Sequence, residues 1–134
     1  MNANLVGKHN PLLAEVRKAM RASTLTASGD LPVEGPALIE EARRSGLEIG
    51  AVFVREGTAI PDAWASSDVR TVEPALFKSI QGTEQSQGAI ALVRPPRWTN
   101  EEVLGRAGTV VVLAGLQDPG NVGTILRVAE AFGA

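Results

Sequence analysis

The order of apolar and polar segments predicts an α/β protein: a small layered α/β/α domain, followed by a strand, loop and helix that open a second sheet. Three observations carry this. Short apolar runs, Leu31–Glu34, Gly50–Arg55, Val69–Val72 and Ala89–Val93, alternate with amphipathic segments of helical spacing. Pro95-Pro96 then interrupts the alternation. Beyond it, the run Val110-Val111-Val112-Leu113-Ala114 reads as a buried strand and leads into LQDPGNVGTILRVAEAFGA, residues 116–134. A strand that feeds a glycine loop into a helix N-terminus is how open α/β sheets build sites for anionic or nucleotide-like ligands. Here that unit comes last, which reads as half a site and leads to the expectation of a truncated enzyme.

Each element has a local reason. Asn10-Pro11 opens the first helix, an Asn cap followed by Pro at a position where its missing N–H costs nothing. Leu12, Leu13, Val16, Ala19 and Met20 form its apolar stripe through about Arg21. Ser23–Asp30 is a polar loop and Leu31–Glu34 a short strand. Gly35-Pro36 starts a second helix carrying Ala37, Leu38, Ile39 and Ala42, which ends near Ser45-Gly46. Gly50–Arg55 is the strongest strand of this half, rich in β-branched and aromatic residues. A loop with one helical turn around Trp64 leads to the strand Val69–Val72 and a helix from Glu73 to Ile80. The polar loop Gln81–Gln87 precedes the buried strand Ala89–Val93. Pro95-Pro96 stiffens the exit, and Thr99 and Glu102 stand at capping-box spacing for a short helix to about Arg106. The expected domains are residues 1–96, a linker 97–107 and a closing unit 108–134.

Composition narrows the chemistry. The chain has 134 residues, 44% of them hydrophobic and 21% charged, as in a soluble globular protein. There is no cysteine, which excludes disulfides and Cys-ligated zinc and fits a reducing cytoplasm. His9 is the single histidine, against a His-rich metal site or a Ser-His-Asp triad, and no metal is expected. No apolar run approaches the roughly 18 residues that span a bilayer, so no membrane partner is expected. Net charge is −2, so contact with nucleic acid has to come from local patches. One is Lys8, Arg17, Lys18 and Arg21, offset only by Glu15. Another is Arg94, Arg97 and Arg106, diluted by Glu101 and Glu102. A solvated helix face and a charged linker are the competing readings.

In the closing unit, Gly120 and Gly123 remove side chains where a backbone or ligand comes close. Asn121 reads as a helix cap, and Asp118 as a residue that bonds within its own loop. Val122, Ile125, Leu126, Ala129 and Phe132 fall on one face, expected to pack on the sheet, and Thr124, Arg127 and Glu130 on another. Read without any family, this is a βα turn with an Arg127–Glu130 surface pair; neither G-x-G-x-x-G nor a Walker motif is present.

DPGNVGTILRVAEAFGA closely resembles the first signature of the SpoU (TrmH-like) RNA methyltransferases, N-x-G-x-x-x-R followed by A-F-G, matched by Asn121, Gly123, Arg127, Ala131, Phe132 and Gly133. The first half resembles their substrate-binding domain: NPLLAEVRKAM as its opening helix, Val33-Glu34-Gly35-Pro36 as its VEG corner, and Thr83…Gln87-Gly88 as its T-x-x-x-QG approach to the last strand. In place of the denser basic run that members often carry after the first helix stands Ala22-Ser23-Thr24-Leu25-Thr26.

The resemblance implies a knotted, Rossmann-like SPOUT methyltransferase domain beginning near residue 108, and methyl transfer from S-adenosylmethionine to a ribose 2′-oxygen of rRNA or tRNA. It implies that Arg127 is catalytic, its guanidinium forking to phosphate beside the attacking oxygen. Asn121 orients the loop or ribose, or else caps the helix. RNA contact falls to Lys8, Arg17, Lys18, Arg21, Glu34, Gly35, Gly120 and Gly123. The cofactor pocket and the dimer interface of a homodimeric parent are built by later motifs that are not in this sequence, so no cofactor is expected for this chain alone. Trp64 and Trp98 could stack on bases or fill core and linker. The alternative function is a stand-alone RNA- or protein-binding module, in which Val110–Leu113 adds to the first domain's sheet. A nucleotide-binding protein of another type is disfavoured, because no ribose-binding acidic residue follows the loop.

Overall fold

Asn10 begins the first helix as its chemistry requires. In the computed structural model, which describes residues 4–134, Asn10 Oδ1 accepts from the amides of Leu12 (3.0 Å) and Leu13 (3.3 Å). Helix α1 (Pro11–Ala22) follows and buries Leu13, Val16 and Ala19. A two-residue strand β1 (Leu5–Val6) precedes it, too short to leave a period in the sequence. Then come β2 (Leu31–Glu34), α2 (Pro36–Arg44), β3 (Ile49–Arg55), a 3-10 turn at Asp62–Trp64, β4 (Asp68–Val72), α3 (Pro74–Lys78) and β5 (Ala89–Val93).

The strands form one mixed sheet in the order β1-β4-β3-β5-β2. β1, β4 and β3 run parallel, while β5 lies antiparallel to both β3 and β2. Alternation along β3 and β5 sends side chains to two cores. Ala51, Phe53, Ile90 and Leu92 meet Leu13 and Val16 of α1, with Phe77 and Ile80, on one side. Val52, Val54, Ala89, Ala91 and Val93 meet Ile39 and Ala42 of α2 on the other. Trp64 belongs to this second core, so it is a packing residue rather than a base-stacking one. The expected α/β/α layering is present.

Residues up to Pro96 form one compact unit and Arg97–Ala134 another. In the second, α4 (Asn100–Leu104) has the expected capping box: Thr99 Oγ1 accepts from Glu102 N at 3.2 Å, and Glu102 Oε2 accepts from Thr99 N at 2.7 Å.

Three local expectations are corrected in this unit. Val110–Leu113 forms no ladder among the described residues and is not a strand; its apolar side chains stay exposed, Val112 at 81%. A strand exists only where a neighbour supplies hydrogen bonds, and this segment finds none among the described residues. Helix α5 (Pro119–Ala131) begins two residues before Asn121, because Pro119 presets a helical φ and Asp118 caps it, accepting from Gly120 N at 2.9 Å. Asn121 is therefore inside the first turn and is not the cap. The predicted apolar stripe of α5 buries no residue fully, and Leu126, Val128 and Phe132 (87%) lie open.

Candidate nucleic-acid interface

Three groups of predicted residues can be placed. The first is cationic. Lys8, Arg17 and Arg21 line one groove of about 460 Å³ together with His9, Ala75, Leu76 and Ser79. Arg17, Lys18 and Arg21 line an adjoining one with Ala14 and Ala22. Helical spacing explains the grouping, since residues 17 and 21 are one turn apart and 18 stands beside them. Arg17 is half-buried, and its Nη2 donates to Ser79 Oγ at 2.8 Å. Residues of the other basic cluster are engaged within their own units: Arg94 is tied to the 26–30 loop through Asp30 (2.8 Å) and the Ser28 carbonyl (2.7 Å), and Arg106 lies 4.7 Å over the Trp98 ring.

The second group is the Glu34-Gly35 corner. Glu34 Oε2 accepts from Gly82 N at 2.9 Å and Oε1 from Thr83 Oγ1 at 3.4 Å, so the carboxylate ties down the start of the 81–87 loop. Gly35 has φ +100°, a conformation that favours glycine, and its amide donates to Ala89 O at 2.9 Å. The corner and the loop together line a groove of about 290 Å³ with Leu38, Thr83, Gln85 and Gln87. Thr83 and Gln87 thus meet the corner that sequence placed about fifty residues earlier in the chain. At Gly88 (φ +78°), a Cβ would stand 2.5 Å from Thr58 Oγ1.

The third group lies on α5. Thr124 Oγ1 donates to Gly120 O at 2.9 Å and accepts from Arg127 Nη2 at 3.2 Å. The Arg127–Glu130 pair does not form among the described residues. A Cβ on Gly123 would come within 3.5 Å of Arg127 Nη1, so the glycine leaves the helix surface open for the guanidinium to lie across it. Asn121 sits in the first turn of the same helix and is exposed. Sequence reasoning missed Ser79 and Gly82; each acts through a partner distant in the chain, and neither has a local pattern that announces it.

The family model for RNA 2′-O ribose methyltransferase substrate binding matches residues 32–99, half of the chain. The chain belongs to the SpoU family of RNA methyltransferases. This SpoU-family chain is 30% identical over 125 residues to a 23S rRNA (guanosine(2553)-2′-O)-methyltransferase of Bacillus subtilis, covering 92% of the chain and 49% of that relative. It is 29% identical to an uncharacterized tRNA/rRNA methyltransferase of Synechocystis, covering 98% and 50%. Among solved structures, an RNA 2′-O ribose methyltransferase superposes with a TM-score of 0.66 at 29% identity, over 97% of the chain and 53% of that structure. The SpoU methyltransferase AviRb of Streptomyces viridochromogenes, in complex with AdoMet, shares the fold at 18% identity and a TM-score of 0.61, over 94% and 51%. The chain spans about half the length of the curated relatives it matches. No helix among the described residues is long and apolar enough to cross a membrane.

Proposed function

We propose that this chain supplies RNA binding and the first catalytic motif of an S-adenosylmethionine-dependent ribose 2′-O-methyltransferase acting on rRNA or tRNA. Residues 1–96 are its substrate-binding domain, 97–107 a linker and 108–134 the opening of the methyltransferase domain, in a cytoplasmic, homodimeric parent enzyme. The observation that carries this reading is the match over 32–99, followed in the same chain by Asn121, Gly123 and Arg127 on one helix. The apolar side chains left open on Val110–Leu113 and on α5 support it, since a self-contained module would cover them.

The methyl group would come from the sulfonium of S-adenosylmethionine. The residues present do not fit that cofactor: Trp98, Val103, Arg106 and Val110 line an open groove of about 380 Å³, but every residue from 97 to 134 is exposed or half-buried, so none closes it off from water around a charged nucleoside. No step is derived through it. What this chain offers is Arg127, an exposed guanidinium steadied by Thr124, able to fork to an RNA phosphate and place positive charge beside a ribose oxygen that is losing its proton. Asn121, no longer needed as a cap, is available to orient the ribose. Gly120 and Gly123 keep that stretch of helix open for the RNA backbone.

The test uses a polypeptide carrying this chain followed by the catalytic half that the curated relatives possess. With labelled S-adenosylmethionine, Arg127→Ala is expected to lower the methylation rate by about 10²–10³, the scale for loss of one charge-stabilising donor. RNA affinity should fall by no more than about tenfold, because one of several phosphate contacts is lost. Undiminished methylation would refute the assignment.

A further inference from the structure

We propose that the groove between α1 and α3 is a phosphodiester-binding site, with Arg17 as its anchor and Ser79 as the residue that positions it. This rests on the RNA-binding reading above and deepens it, naming the part of the RNA that the first unit holds and the groups that hold it.

Charge is the first argument. Lys8, Arg17, Lys18 and Arg21 line two adjoining grooves, and no carboxylate lines either one. The chain as a whole carries a net charge of −2, so this concentration of cations does not follow from composition. Four arginines elsewhere are paired, Arg43 and Arg44 with Glu40, Arg70 with Asp68 and Arg94 with Asp30. Among the described residues, none of the four groove cations takes part in an ion pair. Arg17 and Arg21 stand one turn apart on α1, a like-charge spacing that weakens a helix. An anion across the cluster would relieve that repulsion.

Geometry is the second. Ser79 Oγ donates to Leu76 O at 2.7 Å, which turns its lone pair toward Arg17 and lets it accept from Nη2 at 2.8 Å. One corner of the guanidinium is thereby fixed to the end of α3. Its Nε is shielded from solvent and meets no acceptor among the described residues. A guanidinium anchored through Nη2 leaves Nη1, which has no protein acceptor among the described residues, for a charge-assisted bond to a phosphate oxygen. Flexible Lys8 in front and exposed Lys18 and Arg21 behind extend the positive track along a backbone. Leu76 and Ala75 line the α3 side of the groove with apolar groups, Ser79 is committed to Arg17 and the Leu76 carbonyl, and the cations outnumber the other polar groups of the lining. That balance favours phosphate, a contact indifferent to sequence.

The experiment is fluorescence anisotropy of the chain with two labelled RNA stem-loops of about 20 nucleotides and unrelated sequence, titrated across KCl at roughly 50–300 mM, where phosphate contacts are read from the salt slope. Arg17→Ala is expected to weaken both RNAs by the same factor, about tenfold, and to reduce the slope of log K against log salt by about 0.7–0.9. Arg21→Glu, at an exposed site that tolerates substitution, should do the same, and circular dichroism identifies any variant that fails to fold. Ser79→Ala should lose several-fold and Ser79→Thr should restore it, since only the hydroxyl is needed. Binding that persists with an unchanged slope in both Arg17→Ala and Arg21→Glu overturns the groove while the RNA-binding reading stands. A loss confined to one of the two sequences overturns the phosphate assignment. Failure of Ser79→Thr to rescue overturns the positioning role, and absence of any RNA binding by the unaltered chain overturns both readings.

Discussion

Gly88 offers a test of the first unit's architecture in which two costs can be separated. It sits between the 81–87 loop and β5 at φ +78°, and a Cβ there would stand 2.5 Å from Thr58 Oγ1 and 3.4 Å from Arg55 Cβ. Gly88→Ala therefore meets a left-handed backbone, costing roughly 1–2 kcal/mol for an L-residue. It also overfills a packed site, costing about 1–3 kcal/mol more. The expected loss is about 2–5 kcal/mol, a large share of a small domain's stability. Thr58 Oγ1 is buried with no hydrogen-bond partner among the described residues, so Thr58→Ala alone removes an unsatisfied group and should be close to neutral. Combined with Gly88→Ala, it removes the steric cost and leaves only the backbone cost. The double variant should recover roughly 1–3 kcal/mol relative to Gly88→Ala, the coupling expected of residues in contact. Urea unfolding followed by Trp64 fluorescence reports this directly, because that indole is buried in the folded unit. A Gly88→Ala protein within about 0.5 kcal/mol of the parent, the range of an ordinary surface change, would refute the reasoning. So would a double variant no more stable than the single.

Other outcomes follow from the same geometry. Glu34→Ala removes the acceptor for Gly82 N and Thr83 Oγ1, so amides of the 82–87 loop should exchange faster with deuterium while Phe53 and Ile90 keep their protection; unchanged loop exchange would show that the carboxylate is not the tether. Glu40 is held at about 2 by its hydrogen bond to Arg43, with Arg44 adding to it. A carboxylate whose folded pKa is depressed contributes stability above its ordinary value near 4.5, and that contribution fades as pH falls toward 2. An NMR titration should place the Glu40 midpoint well below that of a free glutamate. Arg43→Ala should raise it toward the ordinary value, and an unmoved midpoint would contradict the pairing.

The helices and central strands were legible because local signals agreed with the tertiary outcome. Asn10-Pro11, Gly35-Pro36 and the Thr99–Glu102 box each carry their own stop or start chemistry, and each element begins where those residues place it. β3 and β5 announced themselves by apolar content that both cores then use. The α1 cations were legible as a group because helical spacing alone brings Arg17, Lys18 and Arg21 together. What sequence could not supply was partnership at a distance. Val110–Leu113 has strand composition, yet strand formation depends on a neighbour that pattern cannot see. Asn121 and Asp118 are both good caps, and the choice fell to the one directly before Pro119. Arg94 looked like a nucleic-acid contact until Asp30, far off in the chain, took it up.

The position of β5 has a consequence for how this molecule comes into being. It is the last strand of the first unit to be synthesised, yet it lies between β2 and β3 and contributes to both cores. Until Val93 has left the ribosomal tunnel, β2 has no hydrogen-bonding neighbour and both hydrophobic faces of β3 remain partly uncovered. Closure of so non-local a sheet is slow compared with helix formation. The sheet therefore closes late in the making of this unit, when β5 enters between β2 and β3 and completes both cores.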